Sequence, residues 1–242
     1  MSNFKDESYE IFEEDKTEEQ IQQKIRLGFI RKVYGIITFQ VLITTISIYF
    51  AVTSKSIQQF MVLNPGLIYI FLFGSIFTEI PIVCCHSVAN RVPLNYILLL
   101  IFTICESYLM AYISIFYETS SVLICAGITL GIVIGLTLYA IFTKTDVTMC
   151  GGALVSFCVI LTILSIIGIF YTSYFYQTMV NSCYVFLFSL YLIYDTQLVI
   201  GNKKNFLSTD SYILGALMIY IDIATLFIKI LTLFGKNNYQ ID

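Results

Sequence analysis

Long apolar runs separated by short polar breaks dominate the chain after residue 32. A helix needs about 20 apolar residues to cross the hydrocarbon core of a bilayer, and these runs reach that length. A membrane β-barrel would instead alternate apolar and polar residues in segments of about 10. The pattern therefore predicts seven transmembrane helices, at residues 33–53, 66–85, 94–117, 120–143, 147–170, 179–200 and 211–234.

Composition and charge agree with a membrane protein. Of 242 residues, 58% are apolar and only 12% are charged, and 14 of the charged residues lie in the first 32 positions. So few charges exclude a soluble protein of this size, and a net charge of −3 without a basic patch excludes nucleic-acid binding. We expect an all-α, seven-helix transmembrane domain at residues 33–235. A flexible, acidic tail with a basic juxtamembrane end precedes it at 1–32, and a short tail follows at 236–242.

The distribution of lysine and arginine predicts the orientation of the chain. Basic residues near span ends face the cytosol in most membrane proteins. With seven crossings, eight lie on the side of the N-terminus: Lys24, Arg26, Arg31, Lys32, Arg91, Lys144, Lys203 and Lys204. The other side has Lys55 and Lys236. We therefore expect a cytosolic N-terminus and a C-terminus in the lumen or outside the cell.

Five charged residues fall within the predicted spans, namely Glu79, Glu106, Asp195, Asp222 and Lys229. A charge in hydrocarbon is costly unless it is paired, protonated or hydrated, so each suggests a transport or structural role. Because four of the five are carboxylates, some must bind protons, cations or a basic group from the membrane edge, such as Arg91. A purely architectural hydrogen-bond network is the alternative, and Lys229 could pair with Glu106 across helices.

Depth favours a pairing between Asp195 and Asp222. Asp195 lies five residues before the end of its span, about 7–8 Å deep, and Asp222 lies roughly 15 Å deep on the next helix. Two carboxylates in a poorly hydrated site cannot both ionise cheaply, so they share a proton. Calcium tolerates loose carboxylate geometry and would be a natural, transient counter-ion there.

Three sequence segments resemble a known family. Residues 193–198 read Ile-Tyr-Asp-Thr-Gln-Leu, residues 217–223 read Leu-Met-Ile-Tyr-Ile-Asp-Ile, and residues 31–36 read Arg-Lys-Val-Tyr-Gly-Ile. Together they resemble the Bax-inhibitor-motif family, also called Lifeguard, over the chain from about residue 25. Residues 93–106 look most like the Golgi anti-apoptotic branch of that family.

The resemblance implies both a fold and a function. It implies a bundle whose seventh helix is central and ringed by the other six. It also implies a calcium leak from the Golgi or endoplasmic reticulum and suppression of cell death. The family's pH-sensitive pair of aspartates corresponds to Asp195 and Asp222, and Arg91 corresponds by position to a basic latch.

Other functions were weighed against this one. A non-conducting scaffold that binds cell-death regulators or other channels is the main alternative. An intramembrane aspartyl protease is disfavoured, because Asp222 follows Ile-Tyr-Ile rather than a Gly-x-Gly pattern. We therefore expect no enzyme activity and no cofactor. The expected partners are membrane lipids, transported calcium and a second copy of the chain in a homo-oligomer.

Overall fold

The protein is described by a computed structural model covering residues 2–171, 173–201 and 203–238, apart from the side chains of 2–16, 19 and 86. Within these residues the only β-structure is one isolated bridge, between Tyr117 and Asn237. The helices are α1 (Ser2–Thr53), α2 (Lys55–Leu63), α3 (Gly66–Cys84), α4 (His86–Ala89), α5 (Leu94–Ser114), α6 (Thr119–Phe142), a 3₁₀ turn (Val147–Cys150), α7 (Gly151–Phe170), α8 (Tyr174–Ile200) and α9 (Tyr212–Phe234).

Seven segments of the described chain are long and apolar enough to cross a membrane. They belong to α1, α3, α5, α6, the 3₁₀ turn with α7, α8 and α9. The prediction of seven helices is therefore confirmed. Two spans begin several residues earlier than predicted: the first at Gln20 rather than residue 33, and the sixth at Tyr174 rather than residue 179. The first turn of α8 is aromatic, and aromatic side chains favour the interface between membrane and water, so the helix starts within the segment taken as a loop.

The segment before residue 33, expected as a flexible tail, is helical from Ser2 onward. Helix α1 begins at Ser2 and continues into the first span without a break, so that the membrane-length segment starts at Gln20. Residues 1–32 contain no proline and a single glycine, Gly28. They are rich in glutamate, glutamine and lysine, which have high helix propensity. The local sequence therefore carries the helix outward from the membrane.

Helix α9 lies at the centre of the bundle. In its most apolar stretch 61% of the residues are buried, against 50% in α8 and 17–44% in the other spans. It packs against α1, α3, α5, α6 and α8. The expected ring of six helices is therefore correct for five of them, whereas α7 packs chiefly against α8.

The end of α9 docks on the turn between α5 and α6. The amide of Glu118 donates to the carbonyl oxygen of Lys236 over 2.8 Å, and the two side chains form an ion pair, also of 2.8 Å. The amide of Asn238 donates to the carbonyl oxygen of Phe116 over 2.9 Å. The turn after α5 follows three membrane crossings and the segment after α9 follows seven. Both numbers are odd, so the two segments lie on the same side of the membrane. This contact therefore agrees with seven crossings.

Candidate functional site

The structure brings the carboxyl groups of Asp195 and Asp222 within hydrogen-bonding reach of each other. Asp195 lies five residues before the end of α8, and Asp222 lies ten residues after the start of α9. The side chains are 4% and 3% exposed. Helices α8 and α9 pack as antiparallel neighbours, so the end of α8 and the start of α9 lie on the same side of the bundle. The two aspartates therefore reach a similar depth from that side.

No basic side chain in the described part of the protein neutralises this pair. Apart from each other, Asp195 Oδ1 and Asp222 Oδ2 are buried without a hydrogen-bond partner there. The ion pair found among these residues joins Lys236 to Glu118 instead. Leu192 lies about one turn before Asp195 on α8, and Ile219 lies about one turn before Asp222 on α9. Both are buried. Two carboxyls held together in such a dry site require a proton between them or a cation.

Two tyrosines of α8 border the pair, and the sequence did not single them out. Tyr191 lies close enough to interact electrostatically with both aspartates, and Tyr194 interacts in this way with Asp195. A side-chain carbon added at Gly151 would lie 2.7 Å from the Tyr194 hydroxyl. Glycine at the start of α7 therefore leaves room for this ring beside the carboxyl pair.

Arg26 fastens the end of the helix that carries Asp195. Its guanidinium donates hydrogen bonds to the carbonyl oxygens of Leu198 over 2.7 Å, of Ile200 over 3.0 Å and of Leu207. The last carbonyls of a helix have no partner within the helix, so Arg26 supplies what the end of α8 lacks. Gly201 ends α8 with φ = 75°, and a side chain there would meet the guanidinium.

Arg91, the residue predicted as a latch, lies in the turn before α5 and is exposed. No hydrogen bond or ion pair in the described structure joins its side chain to Asp195 or Asp222. It lies outside the spans, whereas the carboxyl pair is several residues inside them. Arg26, rather than Arg91, is the basic residue bonded to the end of α8 near Asp195.

A chain of buried polar side chains joins α1, α5 and α9. The Thr44 hydroxyl lies 2.8 Å from that of Tyr220 and 2.9 Å from that of Ser107. One turn earlier on α1, the Gln40 amide donates to the Thr103 hydroxyl over 2.9 Å. The four-residue spacing of Gln40 and Thr44 is the sequence signal for this shared face. Tyr220 lies two residues before Asp222, so the chain lies at a similar depth to the carboxyl pair but on another face of α9.

Glu79 and Glu106 form a second acidic group, between α3 and α5. The Glu106 carboxyl lies within hydrogen-bonding reach of the Ser75 hydroxyl and interacts electrostatically with Glu79. Both glutamates are partly exposed, unlike Asp195 and Asp222. Glu106 is also close enough to Tyr220 to interact with its hydroxyl electrostatically. This group therefore lies near one end of the polar chain.

The structure does not bring Lys229 to Glu106. The Lys229 ammonium donates to Asn181 Oδ1 over 3.2 Å and lies 4.3 Å from the centre of the Tyr184 ring. Glu106 lies near Tyr220, which is nine residues before Lys229 and therefore about 13–14 Å away along α9. The difference in depth separates the two charges, so the suggested pairing is wrong.

Comparison with known proteins identifies the family. A family model described as "Inhibitor of apoptosis-promoting Bax1" matches residues 26–239. The chain belongs to this family. It is 36% identical to human Protein lifeguard 3 and 34% identical to mouse Protein lifeguard 3, over 89% of this chain and 71% of each relative. It is 32% identical to mouse Protein lifeguard 4, over 86% of this chain and 84% of the relative. The family resemblance found in the sequence is confirmed.

Membership gives the buried pair a context. The match begins at Arg26 and includes α8 and α9, so all the residues that form or fasten the pair belong to the family region. The family description connects the family with inhibition of apoptosis. Among the described residues, no group of three or more His, Cys, Asp or Glu side chains could hold a metal ion. Any cation at the pair would have two carboxyl groups as its acidic ligands.

Proposed function

We propose that this protein is a pH-sensitive calcium leak channel of an intracellular membrane, through which it contributes to calcium homeostasis and to the suppression of apoptosis. The observation that carries the proposal is the buried pair Asp195 and Asp222, which lacks a basic partner among the described residues. Buried ionisable residues of membrane proteins mark ion pathways by default. The pair is the most deeply enclosed acidic group in the described spans.

The gate works through the proton that the two carboxyls share. At low pH this proton bridges Asp195 and Asp222 and holds α8 against α9. As pH rises the proton leaves, and two negative charges in a dry site repel each other unless a cation enters. Calcium suits the site because it accepts oxygen ligands in flexible geometry. With only two carboxyl groups, binding is weak and release is fast, as conduction requires.

The polar chain of Gln40, Thr44, Ser107 and Tyr220 supports a route at the level of the gate. Its hydroxyl and amide groups lie where three spans meet, and it reaches towards the acidic group of Glu79 and Glu106. Water and cations in a membrane protein follow such polar surfaces, because the surrounding side chains offer no oxygen ligands. We assign these residues to the lining of the open path.

The proposed setting is the Golgi or endoplasmic reticulum membrane, with the N-terminus in the cytosol. The excess of basic residues on that side supports the orientation, and the resemblance of the sequence to the Bax-inhibitor-motif family supports the organelle. Calcium would then leave the store down its gradient through the open gate. A protein of this family that lowers the calcium content of a store would act upstream of cell-death factors.

Calcium efflux from liposomes tests the proposal. The full chain is purified, reconstituted into calcium-loaded vesicles and followed with a calcium dye at pH 6, 7 and 8, beside protein-free vesicles. We expect efflux above the protein-free rate, increasing across about pH 6 to 8 as the carboxyl pair loses its proton. Efflux equal to that of empty vesicles at every pH would overturn the channel and favour a scaffold for cell-death factors.

A further inference from the structure

A groove of about 390 Å³ lies between α1 and α5, and neither Asp195 nor Asp222 lines it. Its outer end carries Arg31 and Lys32, its walls are mainly apolar, and its inner end is polar. The lining residues come from α1, between Arg31 and Gln40, and from α5, between Tyr96 and Thr103. The inner end of the groove, at Gln40 and Thr103, adjoins the polar chain assigned to the ion path, whereas its basic end and apolar walls have no part in the proposed gate.

The outer end of the groove has positive charge without a counter-charge. Arg31 and Lys32 are both exposed, and no ion pair among the described residues involves either. The Lys32 ammonium lies 5.3 Å from the centre of the Tyr212 ring, which itself lies 5.9 Å from the ring of Tyr96. Two cations beside two tyrosines form a basic, interfacial surface at the end of the spans.

The walls of the groove are suited to a hydrocarbon chain. Phe39 and Leu100 are 58% and 44% exposed, and Ile36 and Leu99 lie further in. Exposed apolar residues at this level of a span face lipid, so the groove opens sideways into the bilayer. From Lys32 to Gln40, α1 rises by about 12 Å, which is the length of a substantial part of an acyl chain.

We propose that this groove binds an anionic phospholipid, with its phosphate at Arg31 and Lys32 and one acyl chain along Ile36, Phe39 and Leu100. Basic pockets between transmembrane helices recognise anionic headgroups in this way. A free phosphate ion would contact the basic end alone and leave the apolar walls facing lipid. The combination of a basic mouth and an apolar wall therefore favours the lipid.

Lipid retention by the purified full chain tests the proposal independently of ion flux. Native mass spectrometry would compare phosphatidic acid with phosphatidylcholine of the same acyl chains, for wild type and for the double variant Arg31→Ala/Lys32→Ala. The matched control, Lys24→Ala/Lys204→Ala, removes the same charge from exposed residues outside the groove. We expect wild type and control to retain phosphatidic acid preferentially, and the Arg31/Lys32 variant to bind it at least about tenfold more weakly.

A second variant separates the groove from the surface charge. A Cβ atom added at Gly35 meets no protein atom within 4 Å, so Gly35→Leu places a side chain in the groove from a position with open space, and leucine favours the helix more than glycine does. We expect this variant to lose phosphatidic acid although both cations remain. Unchanged retention in either the Gly35 or the Arg31/Lys32 variant would overturn the proposal. Displacement of the lipid by millimolar inorganic phosphate would overturn it in favour of a free-anion site.

Discussion

The guanidinium of Arg26 donates a hydrogen bond to the carbonyl oxygen of Leu198 over 2.7 Å, and so joins the first transmembrane helix to the helix that carries Asp195. Leu198 lies three residues after Asp195, within the same turn. The same guanidinium lies 4.7 Å from the centre of the Phe29 ring and 5.6 Å from that of Phe206. The end of α8 is therefore fixed by a residue that is distant in sequence.

Replacing Arg26 should loosen this end of the bundle. Arg26→Ala removes three hydrogen bonds from a charged donor, each worth about 1.5–3 kcal/mol, and should lower the unfolding temperature in detergent. Arg26→Lys should recover only part of the loss, because an ammonium lacks the planar fork that reaches several carbonyls. The control is Lys24→Ala, an exposed charge one half-turn away on α1. Equal unfolding temperatures for all four proteins would contradict this role.

Loss of either aspartate should remove the pH response of calcium flux, on the proposed function. Asp195→Asn and Asp222→Asn keep the shape and hydrogen-bonding capacity of the pair but cannot develop two negative charges. Efflux from liposomes should then vary little across about pH 6 to 8, whereas wild-type efflux rises. Glu118→Gln, at the opposite end of the bundle, is the matched control and should keep the rise. Wild-type pH profiles in both Asn variants would show that the aspartates are structural.

Glu106 and Lys229 should behave as independent residues. Because they contact different partners at different depths, the stability losses of Glu106→Gln and Lys229→Met should add in the double variant, within about 0.5 kcal/mol. The measurement is a double-mutant cycle on the free energy of unfolding in detergent. A double variant that is more stable than the sum predicts would mean that the two charges meet after all.

Asp146 should make stability depend on acid pH. Its carboxylate accepts hydrogen bonds from the side chain and amide of Thr148 and from the amide of Lys204, and these hold its pKa below the ordinary value. A carboxyl whose pKa is lowered by folding contributes stability above its unfolded pKa, about 3.9, and this is lost as pH falls through the folded pKa. When the pH is lowered from about 7 to below the unfolded pKa, the free energy of unfolding of wild type should therefore fall by more than that of Asp146→Asn.

The measurement for Asp146 is the unfolding temperature of each protein along a pH series. Asn keeps a side-chain oxygen that can accept the Thr148 amide hydrogen bond, so the variant preserves the cap of the 3₁₀ turn. Asp210→Asn, which removes an exposed carboxylate from the neighbouring loop, controls for the lost surface charge. Parallel curves for wild type and Asp146→Asn would contradict the prediction.

The two ends of the chain should lie on opposite sides of the membrane. Seven crossings and the excess of basic residues at the N-terminal side predict that a tag before Met1 is reached by protease from the cytosol, and that a tag after Asp242 is protected. The experiment is protease protection in sealed vesicles, with a tag at one end at a time. Digestion of both tags would require an even number of crossings.

Hydropathy was sufficient to predict the spans, and spacing was sufficient to suggest the pair. Asp195 and Asp222 lie near facing ends of consecutive helices joined by a short loop, so their proximity follows from local sequence. The helical start of α1 was not predicted, because its high charge density suggested a flexible tail, although the residues concerned favour helix.

The role of Arg26 could not be predicted in the same way. Its three acceptors are backbone carbonyls more than 170 residues away, and a carbonyl leaves no mark in the sequence. No role was predicted for Gln40 and Thr44, because two polar residues hardly change the mean hydropathy of a long span. Their importance comes from the facing residues on α5 and α9, which only the packing of the helices brings together.

The central position of α9 has a consequence for biosynthesis. The helix around which five others pack follows all five in the chain, so it leaves the ribosome after them. Before α9 is inserted, side chains that are buried in the folded bundle, such as those of Leu99, Phe102 and Leu192, must face lipid or the other helices. The decisive step in assembly of the bundle is therefore a late one, and the carboxyl pair can form only when that step is complete, because Asp222 arrives with α9.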